Sequence, residues 1–135
     1  MTCRLFDRRI FILLFASYLA AVAVLCFMKP DGLPEVEKDF FGIPIDKVAH
    51  FIMFLPYPIL AATSFIRSEM GIRQMTAILA VTAIVGVGLA YGTEVIQAQT
   101  GYRAYEIDDF KADMTGMAAG MLATVAGLIR LKTKR

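Results

Sequence analysis

The run "DKVAHF", residues 46–51, sets a carboxylate, an ammonium group and the chain's only histidine at the mouth of an apolar segment. An imidazole with an ordinary pKa near 6.5 suits proton transfer at neutral pH, so His50 is a candidate general acid or base. On a helix Asp46 and His50, four apart, share a face, and Lys47 and His50, three apart, are neighbours. Glu94 and Gln97 repeat the three-residue step. Asp109, Asp113, Gly116 and Gly120 advance by four, three and four, which draws one stripe along a helix. Arg103 stands between these two groups, where its guanidinium can pair with Glu94 or Asp109. The candidate catalytic residues are therefore His50, Glu94 and Asp46, with Asp46 or Glu94 orienting the imidazole. The candidate binding residues are Lys47, Gln97, Arg103, Asp109 and Asp113. His50 with Glu94, Asp109 and Asp113 also offers nitrogen and oxygen ligands, but nothing in their spacing selects a metal, so no metal ligand and no cofactor is assigned. The chain has no G-x-S-x-G and no H-E-x-x-H. A nucleophile would have to be water or a carboxylate.

Such groups need elements to hold them, and the composition says which. Of 135 residues, 58% are hydrophobic and 19% charged, and the charges cluster between long uncharged runs. The mean hydropathy is +0.62. A soluble domain is nearer 45–50% apolar. Residues 10–28, 48–66, 75–96 and 110–129 are each long and apolar enough to cross a hydrocarbon core of about 30 Å, which takes about 20 helical residues. Without strict alternation they are helices and not barrel strands. The expected fold is all-α, a four-transmembrane-helix bundle forming one membrane domain over residues 1–135. Arg4, Arg8 and Arg9, then Arg67 and Arg73, then Arg130, Lys132, Lys134 and Arg135 mark three segments as cytoplasmic, so both termini lie inside. The acidic segments 29–47 and 97–109 are the outward loops. The first span is read as an uncleaved anchor, because it is too long for a signal-peptide core and no A-x-A cleavage pattern follows it. Cys3 and Cys26, about 34 Å apart along a helix, cannot bridge. No basic stripe crosses a folded surface, which leaves nucleic-acid binding without support.

Charge in hydrocarbon costs about 2.5–3.5 kcal/mol per group at a helix centre, so these side chains should face one another and not lipid. The expectation is a polar pocket opening outward, roofed by residues 97–108. Gly88 with Gly92, and Gly116 with Gly120, are two G-x-x-x-G pairs that should let neighbouring spans pack closely. Pro56 and Pro58 should bend the second span. In the 29–47 loop, Phe40, Phe41 and Ile43 are expected to dip toward the membrane, with Tyr102 and Tyr105 in the interfacial belt on that side.

The ordered set "DKVAHF" and "EVIQAQTGYRAYEIDDFKADMTG" resembles the VanZ-like family of small membrane proteins. In that family's pattern Asp-Lys-x-x-His-Phe enters one helix. Glu-x-x-Gln follows, then an Arg six residues on, an Asp six further, an Asn or Asp four on and a Gly three after that. The matching positions are Asp46, Lys47, His50, Phe51, Glu94, Gln97, Arg103, Asp109, Asp113 and Gly116. An Asn is commoner where Asp113 stands, and a Tyr where Phe54 stands. The resemblance implies a bacterial plasma-membrane protein of the cell envelope, connected with susceptibility to glycopeptides of the teicoplanin type. It implies no particular reaction.

Three functions stay open on the residues. The outward site binds or transports an envelope lipid, a lipid-linked precursor or a glycopeptide. Alternatively it is an enzyme acting on an envelope lipid or peptide through His50 and Glu94. Or the charges only tie helices together, although packed apolar residues usually do that as well.

Overall fold

The computed structural model describes residues 2–28, 39–101 and 105–133. Apolar runs without helix breakers give long helices, and the chain punctuates them with Pro and Gly. Helix α1 is Thr2–Phe27. A two-residue hairpin follows, strands β1 (Asp39–Phe40) and β2 (Ile43–Pro44), paired antiparallel. Its corner, Phe41–Gly42, has φ of 52° and 78°, the positive pair that a tight two-residue hairpin requires. Helices α2 (Ile45–Phe54) and α3 (Pro56–Phe65) are the two halves of one crossing. They part at Leu55, because Pro56 brings no N–H to the ladder. Helix α4 is Ile72–Thr100 and α5 is Ile107–Thr133. The side chain of Gln74 accepts from the Gly71 N–H at 3.1 Å to start α4, and Gly101 in the left-handed region (φ 72°) ends it.

Four apolar helical segments are thus each long enough to cross a membrane: Arg8–Phe27, Ile45–Phe65, Ile72–Thr100 and Ile107–Thr133. The fold is an all-α helical bundle, with only the short hairpin as strand among the described residues. Its outer surface is aliphatic: Leu13, Ile84 and Leu122 are all well exposed, as lipid contact demands.

Inside, α5 packs along α2 and α3, while α4 closes on α3 and α5 and α1 leans mainly on α3. Phe54, Tyr57, Ala90 and Met117 form the buried centre, with Phe15, Tyr18 and Met114 against it. Buried polar groups cross-link the layers, as a medium without water requires. The Tyr57 hydroxyl donates to the Thr82 carbonyl at 3.1 Å, Ser64 donates to the Phe11 carbonyl at 3.0 Å, and Tyr18 donates to the Met53 carbonyl.

The glycine expectation needs a correction. A Cβ on Gly88 or Gly92 meets nothing within 4 Å, so this pair faces away from the bundle. The stripe that α4 turns inward carries Gly86, Ala90, Glu94 and Gln97, all buried. Gly116 and Gly120 do mediate a close approach, but to α2 and its end: a Cβ on Gly116 would sit 3.0 Å from the Phe51 carbonyl carbon, and one on Gly120 3.1 Å from that of Leu55. Two residues of offset on a helix is a rotation of about 200°, which exchanges inner and outer faces.

Candidate functional site

Helix α2 begins directly after Pro44, and its first turns carry Asp46, Lys47 and His50 along one side. Gly116 lets α5 lie against the backbone of α2, which brings Asp109 and Asp113 beside that turn. The result is a cluster at the end of the bundle that carries the hairpin. His50 Nδ1 lies 2.9 Å from Asp113 Oδ1, and His50 Nε2 lies 3.5 Å from Asp109 Oδ2. A Glu94 carboxylate oxygen from α4 lies within 4.8 Å of ligand atoms on both His50 and Asp109. Lys47 Nζ forms a second tier, 3.0 Å from Asp46, 2.6 Å from Glu106 and bonded to Asp109 Oδ1.

Burial separates the tiers. His50 is 2% exposed, Glu94 1%, Asp109 5% and Asp113 0%. Asp46, Lys47 and Glu106 reach the surface, with side chains 33%, 18% and 54% exposed. The expected open pocket is therefore corrected to a sealed inner group behind a charged rim. Cavities of about 350 Å³ and about 580 Å³ along the bundle are lined by none of these residues. The inner group is also incompletely satisfied. Glu94 Oε1 and Asp113 Oδ2 are buried with no hydrogen-bond partner, a condition that costs about 1–3 kcal/mol or more for a charged group.

The structure brings together six of the eight sequence-predicted residues in one contact network: Asp46, Lys47, His50, Asp109 and Asp113 directly, and Glu94 by proximity. Asp46 joins it through Lys47 and not through His50, so the carboxylate hydrogen-bonded to the imidazole is Asp113, with Asp109 beside its other nitrogen. Gln97 is turned elsewhere: its amide donates to the Cys26 carbonyl at 2.7 Å and ties α4 to the end of α1. Arg103 and Tyr102 lie outside the described residues. In the sequence Glu106 belongs only to the acidic segment 97–109. Its position as a rim partner of Lys47 had no spacing signal, since 59 residues separate them. Tyr18, on the span that carries no motif, was likewise invisible as the anchor of Met53.

Apolar crossings, a sealed carboxylate–imidazole group and its charged rim define a multi-pass membrane protein with a polar centre at one end. The VanZ/LLP1 family model matches residues 11–130, so the chain belongs to that family. No curated protein matches the chain, and no solved structure does.

Proposed function

We propose that this is a bacterial inner-membrane protein of the cell envelope that binds or transports an amine-bearing ligand at the rim formed by Asp46, Lys47 and Glu106. The single observation that carries the reading is the charge balance at this end. Five carboxylates (Asp46, Glu94, Glu106, Asp109 and Asp113) face Lys47 and one imidazole among the described residues. Even with His50 protonated the cluster stays negative, which disfavours a bare phosphate and favours a cation. A glycopeptide with its amino groups, or a lipid-linked precursor bearing an amine, has that chemistry. The rim is where such a group has access.

The test is glycopeptide susceptibility in cells expressing Glu106→Gln and Asp46→Asn, with membrane abundance measured alongside. Both side chains are partly exposed, so the protein should persist while susceptibility changes toward that of cells lacking the chain. Normal abundance with unchanged susceptibility in the double variant would reject the rim as the site. A second reading, an enzyme acting on an envelope lipid or peptide, is favoured by one observation: the Asp113–His50 pair at 2.9 Å with Glu94 beside it has the parts of an acid–base pair and its orienter. Turnover of a labelled envelope lipid that stops in Glu94→Gln, with the protein still in the membrane, would select that reading.

A further inference from the structure

The buried inner group has a geometry that the amine-binding rim does not use. Asp113 is completely buried, and an ionised carboxylate only accepts hydrogen bonds. Its Oδ1, 2.9 Å from His50 Nδ1, therefore holds the proton on Nδ1. In the neutral imidazole that leaves the Nε2 lone pair facing Asp109 Oδ2, 3.5 Å away. Two acceptors then face each other in a site closed to water. The other Asp109 oxygen is held by Lys47, so Oδ2 cannot be relieved from that side. Glu94 completes a triangle, its ligand oxygen within 4.8 Å of both, and its Oε1 is buried without a partner.

We infer that His50 Nε2, Asp109 Oδ2 and Glu94 bind one divalent metal ion, Zn²⁺ being the best match. With metal–ligand bonds of about 2.1 Å, the observed 3.5 Å between nitrogen and oxygen subtends about 110° at the metal, the tetrahedral value. Imidazole nitrogen and carboxylate oxygen are both zinc donors, and three protein ligands leave a fourth position for water or substrate. Asp113 then supplies the outer carboxylate that metal-bound histidines almost always have on their other nitrogen. The ion also neutralises part of the charge excess and satisfies Glu94. The inference stands on these side chains and not on the rim ligand. Metal content and glycopeptide response are separate readouts, so one can fail without the other.

The experiment uses the full chain purified in detergent, stripped with chelator and titrated with Zn²⁺ and with Co²⁺. Binding of about one equivalent is expected, with the intense visible absorption of a four-coordinate cobalt site and an X-ray absorption shell containing one imidazole nitrogen. His50→Ala, Asp109→Asn and Glu94→Gln should each weaken binding at least tenfold. Asp113→Asn should weaken it about 10- to 100-fold, as outer-sphere changes do, while the cobalt spectrum persists. Lys111→Ala, at the exposed pair with Asp108, should change nothing. Because a ligand variant that fails to fold would also lose metal, the wild-type readouts decide. A folded chain that takes up no stoichiometric metal, or whose metal shell contains only oxygen, overturns the inference. So does a folded His50→Ala variant that binds as wild type; a proton then satisfies the facing acceptors.

Discussion

At the scale of the residue, the strongest constraint is the hydrogen bond between His50 and Asp113, two groups 63 positions apart with almost no exposure. An Asn at position 113 keeps an oxygen for the Nδ1–H and replaces the unpartnered Oδ2 with a donor. A Leu keeps the volume and removes the acceptor, stranding a buried N–H at a cost of about 1–3 kcal/mol. Asp113→Asn should therefore unfold within about 1 kcal/mol of the wild type, whereas Asp113→Leu loses about 1–3 kcal/mol, both read from denaturant titrations in micelles. Equal loss in the two would mean that packing, and not the hydrogen bond, holds the imidazole. The sequence showed that His50, Glu94, Asp109 and Asp113 had to avoid lipid and meet. It did not show which carboxylate orients the ring. Spacing leaves Asp46, four residues away, and Glu94 as the two choices, but Lys47 captures Asp46 and the hydrogen-bonded partner comes from α5. Which helix lies against α2 is a tertiary choice that periodicity does not encode.

Elements meet here through small residues, and the choice of glycine decides which faces touch. A methyl group on Gly116 or Gly120 would press on the Phe51 or Leu55 carbonyl, backbone atoms that cannot rotate away. Widening the α2–α5 contact also pulls Asp113 from His50. Gly116→Ala and Gly120→Ala should each destabilise by about 1–3 kcal/mol, the ordinary cost of overpacking. Gly88→Ala and Gly92→Ala have open space around them and replace glycine inside a helix, so they should be neutral or stabilise by up to about 1 kcal/mol. Thermal unfolding of the four single variants checks the contrast, and a loss at Gly88 or Gly92 matching that at Gly116 would show that α4 is rotated from this arrangement. The four crossings were legible because apolar length alone defines them. The rotation of α4 was not, because that helix is apolar all round, and in lipid both faces read alike. Glu94 and Gln97 held the better clue: the stripe four and eight residues before Glu94 is Ala90 and Gly86.

At the scale of the molecule, the bundle has two chemically different ends. Ser64 bonded to Phe11 sets the start of α1 beside the finish of α3, and Arg67 and Lys132 line one cavity between α3 and α5. Arg67 and Lys132 therefore lie at the end opposite the carboxylate cluster. Four crossings would return the chain to the side where it began, and the positive-inside rule makes the cytoplasm the expected side for the basic end. The hairpin corner at Phe41, 92% exposed, and the turn at Ser68 mark the two ends. In a background with Cys3→Ser and Cys26→Ala, a membrane-impermeant maleimide added to intact cells should label Phe41→Cys and leave Ser68→Cys unlabelled until lysis. The reverse pattern would turn the carboxylate cluster toward the cytoplasm. An envelope ligand arriving from outside would then have no route to the rim, whereas the metal site, which depends on three side chains and not on the side they face, would stand unchanged.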